Sequence, residues 1–354
     1  MKDLLTIIIP THNRPALIAR ALDYYSSWEC RVIVCDSSPE VTNPVCTSNI
    51  VTIWTPELSL DRKIANASKQ VVTPYVCISA DDDFLAPNGV HAGVEFLKTH
   101  SDYVSVQGHY VSFEWVGKEL NIQPMYVAVI GFHIDDDQPE KRIIRSMNPH
   151  MHHIFALHRV SILQSSLAIT LDKNCPILWE YSTALGGMIY GKHKMLPVFW
   201  MARDTARYTS YNYGLENSSS ILQSLSSFIA SSDGQCYRER FADAYALQTS
   251  YSVESGRSVF DQAIEENLRV SVKSTSSQRV KLSPWNWLKK WLKIITPMPI
   301  QKIRRMMWKK HWMYKLKRPG FPFGDSVAKS DWVTIKATIM KFGQFPTVKD
   351  GRKI

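Results

Sequence analysis

"VCISADDDF", residues 76–84, sets three consecutive carboxylates directly behind an apolar run that reads as a buried β-strand. Like charges at that spacing raise one another's pKa and cost stability unless a cation sits among them. Working backwards from this strand, apolar runs at Leu5–Ile9, Arg31–Cys35, Ile50–Trp54 and Tyr75–Ser79 alternate with helix-like stretches. This is the pattern of a parallel sheet with crossover helices. Asn13 is placed to cap a first helix with Pro15 in its early turn. Ser59–Val71 reads as a second helix, and Pro87 to about Leu97 as a third. Ligands of such sheets bind beyond the carboxyl ends of the strands. Each of these ends carries polar residues: Thr11-His12-Asn13-Arg14, Asp36-Ser37-Ser38 and Asp81-Asp82-Asp83.

The segment "PTHNRP" behind the first strand lacks the glycine-rich patterns of dinucleotide and P-loop sites. Phosphates bound here therefore need another counter-charge, and a divalent metal on the Asp triplet, Mn2+ or Mg2+, suits hard oxygen donors. Asp83, with Asp81, is the expected ligand pair, and Asp82 a supporting or exposed group. A second triplet, Asp135-Asp136-Asp137, has no strand before it and a proline soon after, so it reads as a solvated turn.

The chain of 354 residues is long enough for one large domain and an appendage, or for two. Cys30, Cys35, Cys46, Cys77, Cys175 and Cys236 show no metal-site spacing, which favours a reducing cytosol. The apolar run at the N-terminus stops at Pro10, unlike a signal peptide, and nothing approaches the roughly 18 apolar residues of a membrane span.

The net charge of +10 is concentrated, because no Asp or Glu occurs from Asn267 to Gly324. Within that segment, "SPWNWLKKWLKIITPMPIQKIRRMMWKKHWMYKLKRPG" (283–320) begins as an amphipathic helix. Asn286, Lys289, Lys290 and Lys293 lie on its polar side, and Trp285, Leu288, Trp291, Leu292 and Ile295 on its apolar side. Such a helix fits an anionic membrane surface, here assigned to 283–318. Nucleic-acid binding and simple packing on the rest of the chain are the rival readings, and with no nucleic-acid motif present no nucleic acid is expected.

Four ordered features resemble the family 2 type of glycosyltransferases: Pro10-Thr11-His12-Asn13-Arg14 at the end of a first strand, Asp36 ending a second, Asn66 on a helix, and the Asp triplet fifteen positions after Asn66. "TPYVCISADDDFLAPNGV" is similar, more narrowly, to a bacterial branch with an Asp-Asp-Asp-Phe signature from surface-polysaccharide loci, lipopolysaccharide or capsule. The resemblance implies an α/β GT-A fold, a Rossmann-like, mostly parallel sheet flanked by helices, with a helical basic C-terminal extension. It covers 4–100 well and 101–210 loosely. Expected units are a catalytic domain at 1–215 (nucleotide half 1–100, acceptor half 101–215), a helical extension at 216–280, a basic segment at 281–320 and a tail at 321–354.

By the same resemblance Thr11, His12, Asn13, Arg14, Asp36, Asn66, Asp81 and Asp82 line the nucleotide-sugar site, with His12 where the family often packs an aromatic on the base. The family places Arg just before the helix Asn. Here that position is Ala65, and Arg62, one turn earlier, is the expected substitute on the diphosphate. Glu180 in "ILWEYSTAL" is the candidate general base of an inverting transfer, with Asp172 as its rival and a helix-start Glu as the plain reading. Trp179 is either an acceptor platform or core. His150, His152, His153 and His193 are weaker candidates for contact with the diphosphate, as are Arg203 and Asp204 at the end of a later strand.

The resulting expectation is a metal-dependent inverting glycosyltransferase at the inner face of the cytoplasmic membrane, acting on a glycan or glycolipid acceptor. The alternatives are a non-catalytic glycan-binding protein with a degenerate transferase fold and a sugar nucleotidyltransferase. The latter predicts a glycine-rich loop that is missing.

Overall fold

The structure is a computed structural model that describes residues 1–40, 48–56, 58–148, 153–170, 181–205, 225–279, 307 and 310–344. Its centre is one sheet that begins with four parallel strands: β1 (Leu5–Thr11), β2 (Arg31–Asp36), β3 (Ile50–Trp54) and β4 (Tyr75–Ile78). Along the sheet the order is β3-β2-β1-β4-β9-β6-β10-β5. Here β5 is Phe84–Leu85, β6 Tyr103–Val116, β9 Leu157–Arg159 and β10 Lys192–Asp204. β7 (Glu119–Pro124) and β8 (His133–Ile134) pair with β6 and β10 off this path. β10 runs parallel to β6, whereas β9 is antiparallel to both β4 and β6. The parallel strands β1 and β4 are buried on both faces, which is why they are continuous apolar runs rather than alternating ones.

Helix α1 (Pro15–Tyr25) follows β1, α2 (Leu60–Ser68) follows β3, and α3 (Pro87–Thr99) follows the acidic turn. The N-cap of α1 is Arg14 rather than Asn13, and no side chain caps it. Asn13 instead takes a left-handed backbone, φ 53°, which asparagine tolerates, and its N–H donates to Ser38 Oγ at 2.8 Å. Gly89 in the first turn of α3 permits close approach to β10, since a Cβ there would sit 1.9 Å from the Phe199 carbonyl oxygen.

Residues 153–159 divide into a turn and a short strand. His153–Phe155 form a 3-10 turn and only Leu157–Arg159 join the sheet. The turn lets the Phe155 carbonyl accept from Trp200 Nε1 at 2.9 Å. α4 (Pro139–Ser146), the helical stretch 182–190, α7 (Ser232–Thr249) and α8 (Val253–Arg279) share a second apolar cluster that includes Ile143, Met188, Phe241 and Phe260. The stretch 182–190 comprises a π-turn (Ser182–Gly186) and α6 (Gly187–Tyr190), and α5 (Val160–Ala168) packs on it and on α2.

A last helix, α9 (Ser326–Phe342), lies in the segment read from sequence as a tail. It returns to the main core, where Trp332, Ile335 and Ile339 are buried beside α1 and α3, and Phe321 just before it stacks on His109. No described helix is long and apolar enough to cross a membrane.

Candidate active site

The carboxyl ends of β1, β2, β4 and β10 meet at one crevice. From β1, Thr11 Oγ1 donates to Asp81 Oδ2 at 2.8 Å. Arg14 spans two members of the triplet, Nη1 to Asp81 Oδ1 at 2.6 Å and Nη2 to Asp82 Oδ2 at 2.7 Å. From the end of β10, Arg203 Nε donates to Asp83 Oδ2 at 2.9 Å, and the Asp204 N–H to Asp83 Oδ1 at 3.0 Å. Asp204 in turn accepts from the fully buried Arg20, whose Nη2 also reaches the Asp82 carbonyl, both at 3.1 Å. The cations that the triplet demands are therefore supplied in this structure by two arginines of the chain itself.

Asp36 belongs to the same crevice. Its Oδ1 accepts from the Ser38 N–H and hydroxyl at 2.9 and 2.5 Å, which turns the chain sharply after β2. Asp36 is tied to Arg14 through Ser38 and Asn13. His12 is half-buried, with Nδ1 3.0 Å from the Ser37 carbonyl oxygen.

Helix α2 presents a different cation from the one expected. Arg62 is exposed, while Lys63 beside it is buried and drives its ammonium under the β1–β2 end, donating to the Thr11 carbonyl at 2.5 Å and Ser37 Oγ at 3.1 Å. The spacing explains why. Leu60, Ile64 and Ala67 set the inward stripe of α2, and Lys63 lies within it while Arg62 is about 100° away. Asn66 is half-buried on the same helix.

Burial raises the pKa of Asp81 and Asp83 well above the ordinary carboxylate range, against the opposing pull of Arg14 on the first and Arg203 on the second. Burial also lowers the pKa of Lys63, against the attraction of Asp81 and Asp36. The crevice thus concentrates buried charge of both signs. The oxygens of Asp81 and Asp83 are the hard donors a divalent ion takes. Among the described residues no cluster of three His, Cys, Asp or Glu is arranged as a metal site, and Arg14 and Arg203 pair with Asp81 and Asp83.

Other candidates fall elsewhere. His193 starts β10, at the opposite end from Arg203, and is fully buried, with Nδ1 2.8 Å from Ser105 Oγ and its ring stacked on His153. Neither imidazole reaches the carboxylates. Asp135 and Asp137 are exposed, with Asp137 paired to Lys192. Two shallow hollows of about 380 and 450 Å³ lie against α4 and α8, away from the crevice. Glu180, Trp179, Asp172, His150, His152 and the amphipathic segment up to 306 lie outside the described residues.

A mixed α/β sheet flanked by helices, with a charged crevice at its carboxyl edge, is the architecture that the resemblance to family 2 glycosyltransferases implies. Residues 6–167 match the family model of glycosyl transferase family 2. Solved structures similar to this chain include S. aureus TarS 1–349, at 12% identity and a TM-score of 0.44, covering 78% of this chain and 92% of that one. The same protein in complex with UDP-GlcNAc is similar at 13% identity and a TM-score of 0.45, with the same coverage. No curated protein matches the chain.

Proposed function

We propose that the chain transfers a sugar from a nucleoside-diphosphate donor to a surface-glycan or lipid-linked acceptor, with inversion. The observation that carries this reading is the convergence of Asp36, Lys63, Arg14, the Asp81–Asp83 triplet and Arg203 on one crevice at the carboxyl edge of the sheet. Asp36 is placed to accept from the ribose or base. Thr11, His12, Asn13 and Asn66 are proposed to line the same donor site.

The leaving group of such a transfer is a nucleoside diphosphate, whose negative charge grows as the glycosidic bond breaks. Among the described residues, Arg14, Arg203 and Lys63 are proposed to face that charge. A divalent ion, Mn2+ or Mg2+, belongs to the proposal with Asp83 and Asp81 as its ligands, and when bound it would neutralise the diphosphate. For Asp81 to serve, Arg14 must release it. Glu180 is proposed as the base that takes the proton from the acceptor hydroxyl. The basic segment 283–318 is proposed to hold the enzyme at the inner face of the cytoplasmic membrane, where a lipid-linked acceptor is presented.

The test is a thermal-shift series with nucleoside diphosphates and their sugars, with and without Mn2+, on the native chain and Asp83→Ala. A shift with one nucleotide that the substitution abolishes supports the donor site. No shift with any of them favours a degenerate, non-catalytic fold.

A further inference from the structure

Helix α9 buries one side, through Ala328, Asp331, Trp332, Ile335 and Ile339, and leaves the other exposed. On that outer side Lys329, Val333, Lys336 and Met340 recur at steps of three and four residues, so they form one stripe along the helix. Val333 is 57% exposed and Met340 49%, values unusual for large apolar side chains on a surface with no partner.

The stripe continues an unusual composition. Among the described residues, six of the thirteen exposed large apolar side chains fall between Met307 and Met340, namely Met307, Tyr314, Phe323, Val327, Val333 and Met340. The charge around them is of one sign. Lys310, Lys317, Arg318, Lys329 and Lys336 are exposed, while both acids of the stretch are engaged elsewhere. Asp325 accepts from the N–H groups of Val327 and Ala328, and Asp331 is buried and accepts from Asn88 Nδ2 at 2.6 Å.

The placement of α9 gives this face a direction. Asp331 meets Asn88 at the start of α3, a few residues beyond Asp83, and Lys341 meets Asp23 near the far end of α1. α1 runs away from the crevice, from Arg14 to Tyr25, so α9 runs the same way, with Phe323 and Val327 at the end nearer the start of α3. The helix is also fixed rigidly, because Trp332, Ile335 and Ile339 belong to the same core as the sheet.

We infer that the outer face of α9, with the turn at Phe323, is a docking surface for an anionic lipid bilayer, and that it presents the edge of the donor crevice to the headgroup layer. Apolar side chains among uncompensated lysines fit this partner, the rings and aliphatic groups entering the acyl boundary while the ammonium groups meet phosphate. The inference extends the membrane reading of 283–318 to a described and rigid part of the fold.

The experiment is co-sedimentation of the full chain with vesicles of phosphatidylglycerol and phosphatidylcholine, and of phosphatidylcholine alone. Two surface variants are compared with it, Lys329→Glu with Lys336→Glu and Val333→Asp with Met340→Asp, and Lys98→Glu with Lys118→Glu serves as the control pair. Binding to the anionic vesicles is expected to fall about tenfold or more in both surface variants and to persist in the control. Unchanged binding in the surface variants overturns the inference. So does a change in oligomeric state on the same substitutions without loss of vesicle binding, which would assign the face to a second copy of the chain. Nucleotide-induced thermal shifts on the same samples report on the donor site separately, so failure of one reading does not imply failure of the other.

Discussion

The ammonium of Lys63 donates to the carbonyl of Thr11 at 2.5 Å from within the protein, joining helix α2 to the end of β1 at the point where Asp81 accepts from the Thr11 hydroxyl. A buried ammonium is costly, and this one is held by two oxygens and by the attraction of Asp81 and Asp36. Replacing it by Met, of similar length, removes the charge and leaves the two oxygens short of a donor. Lys63→Met should cost about 1–3 kcal/mol of stability and weaken nucleoside diphosphate binding by about tenfold or more. Calorimetric titration of wild type and variant measures the second effect, and equal affinities would remove Lys63 from the donor site.

Arg14 occupies the oxygens that a metal would need. Arg14→Gln leaves the buried Asp81 without its cation, which should lower the melting temperature by the equivalent of about 1–3 kcal/mol. Added Mn2+ should then restore the variant by more than it stabilises the wild type, because the competing guanidinium is gone. Melting curves over a range of Mn2+ concentrations decide the matter. An identical metal response in the two proteins would mean that Arg14 and the metal do not compete for Asp81.

The first four strands were legible because each is an apolar run, with β1 and β4 buried on both faces, and polar residues follow the strands at their carboxyl ends. The sequence marks Arg203 and Asp204 only as strand-end candidates for the diphosphate, and their contact with Asp83 was not legible. Arg203 and Asp204 reach Asp83 from 120 positions away, and only the pairing of β10 with β6 and β5 brings them there. The burial of Lys63 follows from helical phase, since Leu60, Ile64 and Ala67 set the inward stripe of α2, whereas the family's preference for arginine points to Arg62, which is exposed. The opening demand for a cation was correct as electrostatics, and in the described residues the chain itself meets it.

Asp331 ties the last helix to the turn after the triplet, with Oδ1 on Asn88 Nδ2 and Oδ2 on the Asn88 N–H at 3.2 Å. It thus serves as a remote cap for α3. Asp331→Ala should destabilise the protein by about 1–2 kcal/mol, seen in urea denaturation. Asp331→Asn, which keeps an acceptor but not the charge, should lose less. Equal losses would mean that the contact depends on the carboxylate charge and that a neutral acceptor contributes nothing.

Stability should also depend on three imidazoles. Burial lowers the pKa of His193 to about 3, and of His158 and His109 to about 4. In the unfolded chain each returns to about 6.5. Between those limits the unfolded state binds more protons than the folded one, so these groups oppose folding progressively as pH falls below about 6.5 and stop adding to the loss near the folded values. The slope is at most about 1.4 kcal/mol per pH unit for each group. The carboxylates Asp81 and Asp83 act in the opposite sense, because their raised pKa values let the folded state hold protons that the unfolded chain has released. His193→Asn separates the two contributions. Urea midpoints measured from pH 7.5 to 5 should fall less steeply in the variant than in the wild type. Parallel curves would mean that His193 does not remain neutral in the fold, and its stack on His153 and contact with Ser105 would then need a charged imidazole.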